Sequence, residues 1–162
     1  MVGVFAEFIL GLAEGETRGL AMTQGETMNQ NDLAEAQPAF GQWLGMKITH
    51  AAPDRVVAEL VVREELANRN GVLHGAALMA LADNMGGTAT FLNLPEGAAT
   101  TTVESKTNFF AACPIGETIT TETTPLHRGR TTMVWQTRIT RADGKLAAMV
   151  TQTQLVMPGK RG

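Results

Sequence analysis

The chain has 162 residues, 44% of them hydrophobic, which suits one globular domain with a moderate core. Its net charge of −3, with acidic and basic residues mixed along the chain, excludes the basic footprint of a nucleic-acid binder. The single cysteine, Cys113, excludes an internal disulfide and points to a reducing, cytoplasmic setting.

Val2 to Ala13 is apolar but interrupted by Glu7 and Gly11, and no positive leader precedes it, so it makes a poor secretory signal. It is also well short of the roughly 20 residues needed to span a bilayer. It reads as a short helix packed on this chain or on a partner; the rival reading starts the protein at Met22 or Met28. Gly15 to Gln30 is polar and reads as a linker, which makes residues 1–30 an extension and 31–162 the folded domain. Asn31 or Asp32 can cap a short helix through Ala36, and Pro38 opens a second that stops at Gly45. In that second helix Phe40, Trp43 and Leu44 recur at helical spacing and are expected to plug one end of the core.

From Met46 the period changes to two. Lys47 to Ala51 and Val56 to Val62 read as strands around a turn at Pro53-Asp54, with Val56, Ala58, Leu60 and Val62 on one face. A polar, Gly-containing loop then leads into a long run of Ala, Leu and Met, all strong helix formers. Strands follow from about Ala99 to Phe110, Thr118 to Thr124, Arg130 to Arg141 and Lys145 to Met157, the last two joined by a two-residue turn at Asp143-Gly144. The order is helix, two strands, long apolar helix, four strands. An antiparallel sheet wrapped around one central helix fits it, in the α+β class. Such a sheet covers only one side of the helix, so the other side calls for a second copy.

Between His74 and Pro95 the only charged residue is Asp83. A carboxylate in such surroundings is costly unless something pairs with it or uses it. His74 and Asp83 are nine residues apart, about 2.5 turns and about 13.5 Å of rise on a helix, so they point to roughly opposite faces. A site using both must join the helix start of one chain to the Asp83 of another. His74 alone reads as a structural histidine, and a buried pairing of Asp83 with Asn68 of a partner is the bland alternative for the acid. His50, His127 and Cys113 do not form a set at metal-ligand spacing, so no metal is expected. Cys113, next to Pro114, reads as a small buried hydrophobe.

Leu44-Gly45-Met46, Asn68 … Gly71 … Leu73-His74-Gly75, Ala82-Asp83, Thr102-Val103-Glu104 … Asn108-Phe109, Gly116-Glu117 and Asp143-Gly144-Lys145 together resemble the hotdog-fold acyl-CoA thioesterases of the phenylacetate-pathway (PaaI-like) type. The resemblance covers about Pro38 to Met157. It implies a sheet around a long helix, dimers with a continuous sheet that usually pair again into tetramers, and active sites at the dimer interface. The implied substrate is an aryl- or fatty acyl-CoA, cleaved to free acid and coenzyme A with no separate cofactor. The implied roles are an oxyanion-binding N–H at Gly75 and a partner Asp83 that is general base or nucleophile. Asn68 would position water or carboxylate, His74 would orient the loop and polarise the carbonyl, and Thr102 would help place the water. The family's second glycine is Ala76 here, whose methyl group would narrow the acyl pocket. Lys106, Arg128 and Arg130 could touch the phosphates of coenzyme A, since Arg suits phosphate geometry. The alternatives are a non-catalytic acyl-CoA- or lipid-binding protein on the same fold, and a hotdog hydratase or dehydratase.

Overall fold

Val56, Ala58, Leu60 and Val62 occupy every second position, and all four are buried in the computed structural model, which describes residues 37–158. The extension and the helix ending at Ala36 lie outside the described residues. The chain begins with a short helix, α1 (Ala39–Leu44), then β1 (Lys47–Ala52) and β2 (Arg55–Val61), and a 3-10 turn at Glu64–Leu66. The long helix α2 (Gly75–Phe91) follows, then β3 (Ala99–Phe109), β4 (Thr118–Arg128), β5 (Thr132–Thr140) and β6 (Leu146–Met157). All six strands join one antiparallel sheet in the order β1-β2-β4-β5-β6-β3, with β1 and β3 at its edges.

α2 lies on this sheet along one side only. Ala77, Leu78, Leu81, Ala82, Met85, Gly86, Ala89 and Thr90 are buried, a period near four that makes a single stripe. Each of Leu78, Leu81 and Met85 contributes about 1.5–3 kcal/mol by leaving water. The opposite stripe, with Ala76, Met79 and Asp83, is exposed in one chain. Asp83 is therefore not enclosed by apolar neighbours within its own chain. A buried polar chain ties helix to sheet: Trp135 Nε1 donates to Thr90 Oγ1 at 2.8 Å, and Thr90 Oγ1 donates to the Gly86 carbonyl at 2.8 Å.

Three expectations change. Phe40 and Trp43 do not plug the core; they stack on each other at 6.0 Å and stay 53% and 58% exposed. Of that helix it is Leu44 that is buried, because α1 is too short to turn more than one such side chain inward. Arg63 holds the helix end from outside, donating to the Trp43 carbonyl at 2.7 Å with its guanidinium 5.8 Å from the indole ring. The β5–β6 connection is a three-residue loop, since Arg141 N–H donates to the Lys145 carbonyl and Gly144 N–H to the Arg141 carbonyl. Gly144, at φ +81°, takes the left-handed position that such a loop requires. β4 also runs past Thr124, where the sequence reading ended it, to Arg128.

Candidate active site

Two groups of residues gather along α2, one at its start and one around its middle. At its start, His74 is the N-cap, and its Nδ1 accepts from Ala76 N–H at 3.0 Å. Any ring proton on a neutral His74 is thus on Nε2. Ala77 N–H donates to the His74 carbonyl at 2.9 Å. Gly75 N–H, which precedes both, has no protein acceptor among the described residues. A helix start offers unpaired N–H groups and the positive end of the helix dipole, so this N–H is suited to a developing negative oxygen. The neighbouring N–H of Ala76 is already taken, and its methyl group lies on the open side of the helix.

Asn68 lies on the same side of the molecule. Its Oδ1 accepts from Asn70 N–H at 2.8 Å, a local turn that holds the loop. With Gly75, Leu78, Phe109 and Phe110 it lines a cleft of ≈ 350 Å³. Phe109 closes against Gly75, where an added Cβ would come within 3.3 Å of the ring.

Asp83 stands two turns further along, in a second cleft of ≈ 450 Å³ shared with Asn84, Gly87, Phe91, Thr102 and Gln154. Thr102 Oγ1, the hydroxyl expected to help place a water, donates to Asp83 Oδ1 at 2.9 Å. Gln152 Nε2 also donates to Asp83 Oδ1, and Gln154 Nε2 donates to Thr102 Oγ1 at 2.8 Å. Neither glutamine was among the expected site residues. The available signal was that both fall at inward positions of β6, in register with Val150 and Val156.

Strand β3 connects the two clefts through a bulge. Its register with β6 shifts between Thr102 and Glu104, which leaves Val103 as the extra residue. Bulges near functional sites re-aim side chains. Here the shift lets both Thr102 and Phe109 face the helix although they are an odd number of residues apart. Ser105 and Thr107 carry buried hydroxyl oxygens, so Lys106 between them points to the outer face of the sheet, away from Asp83. Arg128 is occupied elsewhere, donating to Pro53 O at 3.3 Å and Asn93 Oδ1 at 3.2 Å. Arg130 is exposed.

Cys113 is buried, and burial pushes its thiol up from the ordinary range; the charge of Glu117 adds to this and Arg141 partly opposes it. Among the described residues no three His, Cys, Asp or Glu side chains converge as a metal site, and no helix is long and apolar enough to cross a membrane.

A sheet laid along one side of a long helix, with a carboxylate on the open side and an unpaired N–H at its start, is the arrangement of a hotdog-fold hydrolase. The model of the Thioesterase superfamily matches residues 70–148. Acyl-coenzyme A thioesterase 13 of Homo sapiens is 32% identical over 117 residues, covering 71% of this chain and 83% of the relative. A thioesterase of Haemophilus influenzae superposes with a TM-score of 0.78 at 27% identity, covering 84% of this chain and 95% of its own. A hypothetical thioesterase of Streptococcus pneumoniae, solved with coenzyme A, superposes at 0.65 with 27% identity, covering 72% and 88%. The chain belongs to the thioesterase superfamily, and it is a thioester hydrolase.

Proposed function

We propose that this chain hydrolyses acyl-CoA thioesters to free acid and coenzyme A at a site shared by two copies, with Asp83 of one copy facing Gly75 of the other. The observation that carries the reading is that one helix holds Asp83 and Gly75 in separate clefts. Each chain then supplies two half-sites, and two-fold pairing, which sets the same patch of each copy against the other, joins them. The surfaces for such pairing are the open stripe of α2 and the free side of β3, where Met79, Val103, Phe109 and Phe110 are exposed. Acyl-CoA as substrate is supported by the human relative's name and by the coenzyme A in the streptococcal structure.

In this reading the thioester oxygen rests on Gly75 N–H, where the negative charge develops. Asp83 either takes a proton from the attacking water, or attacks the carbonyl carbon itself and forms an anhydride that water then cleaves. Both routes place the oxyanion at Gly75. In both, the C–S bond electrons leave on the sulfur of coenzyme A, which takes up a proton. Asn68 orients the water or the carboxylate, and His74, through its cap, keeps the Gly75 N–H as the free donor. The exposed Arg130 and Lys106 are candidates for the phosphates. The same reading takes residues 31–162 as the catalytic unit of a cytoplasmic enzyme.

Complementation tests it. Asp83→Asn alone lowers turnover of aryl- and aliphatic acyl-CoAs by roughly 100-fold or more, the loss expected for a general base. Gly75→Val, which crowds the oxyanion position, is likewise inactive. Co-expressed in equal amounts, the two variants regain about a quarter of wild-type activity, because half of random dimers are mixed and each mixed dimer has one intact site of two. A mixture that stays inactive while mixed dimers form overturns the shared site.

A further inference from the structure

Strand β6 carries two amides where its alternation calls for apolar side chains. Val150, Gln152, Gln154 and Val156 share the helix-facing side, and both glutamines are 1% exposed. Buried polar groups in a native core are nearly always hydrogen-bonded, and one that is not calls for an explanation. These two converge on Thr102 and Asp83. Gln154 Nε2 donates to Thr102 Oγ1 at 2.8 Å, and Gln152 Nε2 lies 3.2 Å from the same oxygen while also donating to Asp83 Oδ1.

A hydroxyl has one proton and two lone pairs. With amide N–H groups at both lone pairs, the proton of Thr102 is left for Asp83, to which it donates at 2.9 Å. Two features favour this orientation of the amides. Thr100 Oγ1 shares its one proton between Gln154 Oε1 at 3.0 Å and the Leu155 carbonyl at 3.1 Å, and the first of these turns the nitrogen of the Gln154 amide toward Thr102. Gln152 Oε1 is buried without a partner among the described residues, packed over Gly86, where an added Cβ would overlap it. Turning that amide round would set its oxygen against the Asp83 carboxylate, so the unpaired oxygen stays on the Gly86 side.

We propose that Gln152 and Gln154 are positioning residues that pin Asp83 by Oδ1 alone, leaving Oδ2 to meet the water or the thioester carbon. Gln152 acts on the carboxylate directly. Gln154 acts only through the hydroxyl of Thr102, and Gly86 provides the space that Gln152 occupies. The inference rests on the reading of Asp83 as base or nucleophile.

Steady-state kinetics of the full chain with benzoyl-CoA or octanoyl-CoA, whichever turns over faster, test it. Gln152→Met and Gln154→Met keep side-chain length without the donor, and each lowers kcat by roughly 10-fold while KM stays within about twofold. In a Thr102→Val background, Gln154→Met lowers kcat no further, because its route to Asp83 is already gone. Equal losses from Gln154→Met in both backgrounds overturn the relay. Wild-type kcat in both methionine variants, with Asp83→Asn inactive, overturns the positioning role and leaves the Asp83 reading standing. An active Asp83→Asn overturns the reading underneath. Should the methionine variants fail to fold, Thr100→Val leaves both glutamines in place but frees the Gln154 amide to turn; a kcat lowered severalfold supports the relay and an unchanged one overturns it.

Discussion

At the start of α2, His74 takes up the N–H groups of Ala76 and Ala77 and leaves that of Gly75 unbonded among the described residues. The imidazole takes the Ala76 N–H and the His74 carbonyl takes that of Ala77, so the Gly75 N–H that precedes them is the one left over among the described residues. Ala76, in the place of the family's second glycine, has its N–H already bonded and its methyl group on the open side of the helix. Cys113 shows the opposite case, a reactive group type with no chemical use. Its thiol is buried and pushed up, so the folded state holds that proton more tightly than the unfolded chain does. The unfolded state then binds fewer protons at high pH, and stability falls as pH rises. The contribution is complete below the unfolded thiol value of about 8.5 and is lost as pH climbs through the higher folded value. Denaturant midpoints measured from pH 7 to 10 therefore decline above about pH 8.5 in the wild type, and decline less in Cys113→Ala. Equal slopes in the two proteins would show that the thiol plays no part.

Neighbouring glycines in α2 have opposite meanings. A helical glycine is worth about 0.8–1.0 kcal/mol less than alanine, so replacement ordinarily stabilises. Gly87 follows the rule, with nothing near an added Cβ, and Gly87→Ala is expected to raise the unfolding free energy by up to about 1 kcal/mol. Gly86 reverses it, because the added methyl group displaces the Gln152 amide from Asp83. Gly86→Ala is expected to lower both stability and kcat; thermal melts and single-substrate kinetics on the pair read the contrast, and a stabilised, fully active Gly86→Ala would break the account. Much of this element was legible in advance. The apolar run between His74 and Pro95 and the isolation of Asp83 pointed to the helix and singled out the acid from residue type alone, whereas the roles of Asn68 and His74 came only from the family resemblance. The β3 bulge was not legible, because Thr102, Val103 and Glu104 are all compatible with unbroken alternation; the shift exists only against the register of β6. Without it Phe109 falls on the wrong side of the sheet and Lys106 on the helix side. The two glutamines fall at inward positions of β6, but what they face is decided by a strand and a helix far away in sequence. Phe40 and Trp43 misled because helical spacing gives a shared face without saying whether that face turns inward.

At the scale of the whole molecule, one chain leaves unfinished what its own sheet cannot cover. The buried stripe of α2 is packed on six strands, while Ala76, Met79 and Asp83 on the other side meet solvent, beside an eleven-residue edge strand with one side unpaired. Exposed edges of this length invite pairing with another chain. Met79 is the discriminating position: it is 41% exposed, one turn before Asp83, and makes no hydrogen bond that folding depends on. A charge there costs the isolated chain little, since surface substitutions away from special features usually stay within about 0.5 kcal/mol. Across a two-fold pairing of α2 against its copy, the same charge would be buried twice without a partner, and leaving a buried charge unpaired costs about 3–5 kcal/mol. Met79→Glu, which Asp83 one turn away cannot pair with, is therefore expected to be monomeric by light scattering, to keep the wild-type far-ultraviolet spectrum, and to lose turnover although Asp83, Thr102 and Gly75 are all intact. A monomer that hydrolyses acyl-CoA at the wild-type rate would confine the chemistry to a single chain, and the two clefts of that chain would then need another explanation.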